Sequence, residues 1–130
     1  MFIVASERRF SWPVEFWQVG EDGQRTAKAV TFQFRQIKAS AFAQLLRDLH
    51  EASAKAQSEE EAVEAATAIY ERIVLGWDSA AIGEADATPL AFSRQALATV
   101  LDMFGAGTAI VTAYSRAVTG TGAEENRRGN

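Results

Sequence analysis

The sequence predicts an α+β fold, mainly helical, in which an N-terminal antiparallel β-hairpin packs on about four α-helices. Three observations carry that expectation. Bulky residues alternate at period two in two runs on either side of a glycine-containing turn. Beyond Ser40 the apolar spacing changes to three and four, the signature of an amphipathic helix. Serines and glycines then punctuate the chain where helices start and stop.

The first run, FSWPVEFWQV at residues 10–19, places Phe10, Trp12, Val14 and Phe16 on one side. The second, AKAVTFQFRQI at residues 27–37, alternates Val30, Phe32 and Phe34 with Thr31, Gln33 and Arg35. Gly20-Glu21-Asp22-Gly23-Gln24 joins them. Folded about Gly23, the hairpin sets Phe16 opposite Val30, Val14 opposite Phe32 and Trp12 opposite Phe34, so three bulky cross-strand pairs share one face. Pro13 lacks a ladder donor, which assigns its strand to an edge. Residues 1–5 offer a third strand.

Phe42, Leu45, Leu46 and Leu49 form the stripe of the first helix, with Ser40 as its expected cap and an end near Gln57. Ser58-Glu59-Glu60-Glu61 reads as a capping box, with Glu61 reaching back to the Ser58 amide. Three carboxylates in that first turn suit the positive end of the helix dipole. The second stripe runs through Val63, Ala66, Tyr70, Ile73, Val74 and Trp77, and Gly76 supplies the left-handed residue that ends it. The stretch at 52–68 is alanine-rich but helical in pattern. Trp77 and Asp78 open a loop of about eleven residues before Pro89. Ser93 caps a third helix with Leu97, Val100, Leu101 and Phe104 apolar, which makes residues 73–104 a hydrophobic joint between two helices. Gly105-Ala106-Gly107 breaks that helix. Ile110, Val111, Tyr114 and Val118 then stripe a last one, up to Gly120-Thr121-Gly122. Residues 1–119 read as one domain and residues 120–130 as a disordered polar tail.

The totals limit the function. With 130 residues the chain supports one modest core. Its net charge of −4 argues against nucleic acid, whose phosphates need a basic surface. It has no cysteine, which removes disulfides, thiolate metal sites and thiol nucleophiles and suits a reducing compartment. The N-terminus lacks the basic start and long apolar run of a signal peptide. No apolar run approaches the roughly 20 residues that span a bilayer, so no membrane partner is expected.

Candidate chemistry is sparse. His50 is the single histidine, beside Glu51 and near Asp48 at the polar border of a helix; an isolated residue of this kind is no constellation. Asp78, Gly83, Glu84 and Asp86 share one loop, but Ala80 and Ile82 stand where a calcium loop needs oxygen ligands, so the reading is a solvated acidic loop. Gly105-Ala106-Gly107 lacks the preceding strand and the following lysine of a phosphate loop. Adjacent Glu59, Glu60 and Glu61 point in different directions and cannot act as a catalytic pair. Arg127-Arg128 is short and offset by Glu124 and Glu125. No catalytic residue, metal ligand or cofactor site is expected.

The aromatic residues suggest contact surfaces instead. Trp17 lies on the opposite side of its strand from Trp12 and Phe16, with Val19 two residues on. If helices cover only one face of the sheet, Trp17 is exposed and marks a protein contact; the other reading is that it covers a loop or the N-terminus. Trp77 and Phe92 bracket the long loop, either as core residues pinning its ends or as partner contacts.

The order of these parts resembles the tail assembly chaperones of long-tailed bacteriophages and their prophages. The residues that carry the resemblance are FSWPVEFW, TFQFRQI, the helix after Ser40, and IVLGWDSA…TPLAFSRQALATVLDMF followed by AIVTAYSRAV. It covers nearly the whole chain up to about residue 120. Relatives carry an acidic-glycine turn shortly before the proline, where this chain has Glu84-Ala85-Asp86-Ala87-Thr88-Pro89. The resemblance implies a non-enzymatic protein of the bacterial host cytoplasm that binds the tape measure protein, keeps it soluble while tail tube protein polymerises around it, and is absent from the mature virion. It also implies self-association into a homo-oligomer and a longer frameshifted form whose extension contacts the tape measure, this chain being the short form. The alternative is a structural component of the particle, such as a head–tail connector or a tail terminator.

Overall fold

The computed structural model describes residues 1, 2, 4 and 8–120. Two long strands, β1 (Arg8–Val19) and β2 (Arg25–Gln36), form the hairpin. Helices α1 (Ala39–Lys55) and α2 (Glu59–Tyr70) follow, then a short strand β3 (Val74–Trp77), a single 3-10 turn at Ser79–Ala81, and helices α3 (Arg94–Leu101) and α4 (Ala106–Thr119). The fold is α+β: an antiparallel sheet in the order β1-β2-β3, with four helices among the described residues. Val14, Phe16, Val30, Phe32 and Phe34 point inward and join Leu45, Ile73, Leu97, Ile110 and Tyr114 in one core. Ser11, Pro13, Glu15, Trp17, Thr31 and Gln33 on the other face are exposed, so the helices cover one face only.

The hairpin forms where expected but in a register shifted by two. Val14 pairs with Val30, Trp12 with Phe32 and Phe10 with Phe34, while Phe16 faces Lys28. The five residues 20–24 close symmetrically about Asp22, not Gly23. Gly20 N–H donates to the Gln24 carbonyl at 2.8 Å, and Gly23 N–H donates to the Gly20 carbonyl at 2.9 Å. Gly23 occupies the left-handed position at φ +82°, one residue after the middle of the loop. A shift of two preserves the face of every side chain, so the inner apolar set is unchanged. Pro13 does lie on an edge strand, β1.

The described residues among 1–5 do not form the third strand. Met1, Phe2 and Val4 are exposed and outside any strand, and Ile3 and Ala5 lie outside the described residues. It is β3, formed by residues read above as the end of a helix. Phe32 pairs with Trp77, Gln33 with Gly76 and Phe34 with Val74. Arg35 N–H to the Ile73 carbonyl and Asp78 N–H to the Thr31 carbonyl, at 2.8 and 2.9 Å, extend the ladder at both ends. The joint between two helices is therefore a strand. Gly76 is no helix cap; a Cβ there would lie 2.8 Å from Oε1 of Gln33, its cross-strand partner. A short apolar run with β-branched residues fits strand or helix equally by periodicity, and here the free edge of β2 decides.

Local signals at the helix starts are mixed. Ser93 caps α3, its Oγ accepting from Ala96 N–H at 3.0 Å. Ser58 caps α2 through Glu61 N–H at 3.1 Å, but the Glu61 carboxylate accepts from Gln57 N–H, not from the Ser58 amide. Ser40 lies inside α1, whose cap position is Lys38 with no side-chain bond. Gly105 and Gly120 flank α4 in left-handed conformation, at φ +76° and +80°. Residues 121–130, read above as a disordered tail, lie outside the described residues.

Candidate functional site

Asp78 and Asp86 are occupied in turns of the loop, and Asp48 in an ion pair. Asp78 Oδ1 accepts from Ala80 N–H at 3.1 Å, and Asp86 Oδ1 accepts from Thr88 N–H at 3.0 Å. Hydrogen bonds from Thr88, its side chain first and then its backbone, hold the Asp86 carboxyl below the usual carboxylate range. The loop closes as a small hairpin, with a bridge between Gly83 and Pro89 and with Ala87 in the left-handed region at φ +67°, a conformation that strains any residue bearing a Cβ. No group of three His, Cys, Asp or Glu side chains is placed to hold a metal among the described residues. His50 is exposed on α1. Asp48 pairs with Arg72 at 2.6 Å, tying α1 to the turn after α2. The hydrogen bond from Arg72, followed by that from Gln44, holds the Asp48 carboxyl low.

Trp77 and Phe92 meet edge to face, their ring centroids 4.9 Å apart at 87°. Trp77 is 5% exposed and its Nε1–H donates to the Leu90 carbonyl at 2.8 Å. Together they clasp the two ends of the loop against the core and leave Trp77 almost no surface for a partner. Trp17 and Val19 sit on β1, at the opposite edge of the sheet, and are 51% and 70% exposed. The Arg25 guanidinium stacks over the Trp17 ring at 4.6 Å. The structure thus separates the four candidate residues into a clasp and a surface.

The surface is larger than the sequence reading suggested. Phe104, read above as the last residue of a core stripe, is fully exposed. Helix α3 stops at Leu101, Met103 N–H turns back to the Val100 carbonyl, and Gly105 starts α4 after a bend of 105°. Phe104 is left on the outside of that corner, with the half-exposed Met103 beside it. The available signal was Gly105: a residue next to a left-handed glycine is already past the regular helix. Between this corner, α4 and the β1 edge lies an open groove of about 730 Å³. Phe16 and Ala113 contribute to its lining, as do Trp17, Phe104, Arg25 and Arg116. A second, acidic cleft of about 720 Å³ lies between α2 and α3, lined by Glu59, Glu60, Glu64 and Asp102 around Val63 and Ala98.

No single helix among the described residues is long and apolar enough to cross a membrane. A family model described as phage tail assembly chaperone matches residues 1–130. No curated protein and no solved structure matches the chain.

Proposed function

The chain belongs to the phage tail assembly chaperone family, and from that premise we propose that it binds the tape measure protein and keeps it soluble while the tail tube polymerises. The observation that supports this reading, beside the family, is the exposed apolar surface of Trp17, Val19, Met103 and Phe104 on a chain of net charge −4. Exposed aromatic and Met side chains suit a protein partner, and the acidic balance disfavours nucleic acid. On this reading the protein acts by binding and not by catalysis, works in the host cytoplasm, and leaves before the virion matures.

Co-expression with the neighbouring tape measure protein tests it, with any longer frameshifted form included. Soluble tape measure protein is expected only when the chaperone is present, and the two should co-purify. Stoichiometric recovery of this chain from mature particles would replace the chaperone reading by a structural one, such as a connector or tail terminator.

The same reading includes self-association. The uncovered face of the hairpin, with Val19 and Trp17 near its turn, is the surface proposed for it. Light scattering should give a mass above the 14.1 kDa of one chain, and Val19→Asp should lower it. A strict monomer well above micromolar concentration would rule the contact out.

A further inference from the structure

We infer that the cleft between α2 and α3 receives a basic amphipathic helix of a partner protein. This surface is separate from the exposed hairpin face and the Phe104 corner, and its occupant is independent of the tape measure reading.

The shape of the cleft selects a helix. Arg94, at the start of α3, pairs with Glu71 at the C-cap of α2 at 3.3 Å. Asp102, at the far end of α3, lines the cleft together with Glu59 and Glu60 from the start of α2. The two helices are therefore antiparallel. Their facing rows repeat at spacing four, through Val63 and Thr67 on α2 and through Ala98 and Asp102 on α3. A groove between such rows is the seat of a third helix. From Glu59 to Thr67 α2 rises about 12 Å, which matches about two turns of an occupant. An extended segment has no ladder to join there, because the mid-helix N–H and C=O groups of both walls are spent within their own helices.

Charge selects a basic occupant. Val63 and Ala98 are half-buried in the floor. The Thr67 and Thr99 hydroxyls donate to carbonyls of their own helices, Val63 at 2.7 Å and Gln95 at 3.1 Å, so they are already spent. What remains at the rim, beside the neutral Gln95, is negative. Among the described residues, no hydrogen bond or ion pair holds the carboxylates of Glu59, Glu60, Glu64 and Asp102. The one cation of the cleft, Arg94, is engaged by Glu71. Glu59 and Glu60 have a local reason for their place, at the positive end of α2. Asp102 has the reverse, because it caps the negative end of α3, where a carboxylate is disfavoured. Lysine or arginine side chains flanking the apolar stripe of a partner helix relieve that crowding, in the manner of helix-in-groove recognition. A second copy of this chain is a poor occupant. Among the described helices only α1 carries two basic side chains, Arg47 and Lys55, and there Glu51 pairs with Lys55 and Asp48 adjoins Arg47.

Two synthetic helical peptides serve as probes. They share one apolar stripe and carry either lysine or glutamate on its flanks, and fluorescence anisotropy reads their binding to the full chain. The lysine peptide should bind about tenfold tighter or more, and high salt should erase that advantage. Glu64→Gln combined with Asp102→Asn should weaken it about tenfold. Both residues are exposed, so this variant should melt no lower than the parent protein. Glu21→Gln combined with Glu84→Gln removes the same charge away from the cleft and should leave the affinity within about twofold. Equal binding of the two peptides, or equal losses in the two double variants, overturns the proposal. So does a lysine peptide without the apolar stripe that binds as tightly, since net charge alone would then account for the attraction. A Glu64→Gln, Asp102→Asn protein whose mass by light scattering falls while its peptide affinity is unchanged also overturns it, in favour of a second copy in the cleft. Failure to solubilise the tape measure protein, with selective lysine-peptide binding intact, removes the chaperone reading and leaves the cleft assignment standing.

Discussion

Trp77→Ala is expected to destabilise the protein by about 3–5 kcal/mol, the cost of emptying a buried aromatic site. For a chain of this size that lowers the melting temperature on the order of 10–20 °C. The ring is 5% exposed and contacts Phe32, centroid to centroid at 5.4 Å, as well as Phe92. Its loss removes packing from β3, from the neighbouring strand and from the loop end together. Trp77→Phe separates the contributions. It retains a ring against Phe32 and Phe92 but removes the hydrogen bond to the Leu90 carbonyl, for about 1 kcal/mol. Thermal denaturation of both variants checks the order. A Trp77→Ala protein that melts normally but loses a partner would make Trp77 a contact residue and refute the clasp.

Tyr114→Phe is the second large effect, because one hydroxyl serves two backbone groups. Tyr114 Oη accepts from Ile37 N–H at 3.0 Å and donates to the Arg35 carbonyl at 2.9 Å. These bonds hold the chain where β2 gives way to α1, some 77 residues away in sequence. Removing the hydroxyl leaves a part-buried donor and acceptor without that partner, at about 1–3 kcal/mol. Ring packing against Phe10, Phe34 and Phe42 should persist, since phenylalanine keeps the ring. Hydrogen exchange should show the Ile37 amide losing protection before its neighbours. Alkaline titration gives a companion result. Burial pushes the Tyr70 phenol from 10.0 up to about 12 and raises Tyr114 in the same direction. The unfolded chain then ionises first, so the stability these neutral phenols contribute is intact below about pH 10 and is lost as pH rises towards 12. Stability unchanged across that window would contradict the burial of both rings.

Neither tyrosine hydroxyl had a role that the sequence disclosed. Tyr70 and Tyr114 were legible as members of apolar stripes, which are local patterns. What their oxygens touch depends on elements far along the chain. Gly107 shows the same limit. Its spacing marks it as part of a break, yet α4 comes so close to α2 there that a Cβ would lie 2.7 Å from Tyr70 Oη. The two serine caps were readable because a cap involves residues only three apart. Ser40 was not, because a serine near a helix start caps it only if the backbone enters the helix at that residue, and α1 starts earlier.

The sequence by itself determined the fold class, the inner face of the hairpin, the existence of the helices, and the family, because each rests on alternation, helical spacing or an ordered set of local signatures. Those signals survive error: a register shifted by two still sends Val14, Phe16, Val30, Phe32 and Phe34 to the core. Only the tertiary structure decided the register itself, the third strand and the exposed corner. Residues 73–77 are equally apolar as helix or strand, and became β3 because β2 had an edge to offer. Phe104 sits in sequence where a core stripe should continue, and is outside because α3 ends early and the chain turns through 105°. Hydrophobicity says that a side chain gains by leaving water, whereas the geometry of the neighbouring elements says whether any interior is within its reach.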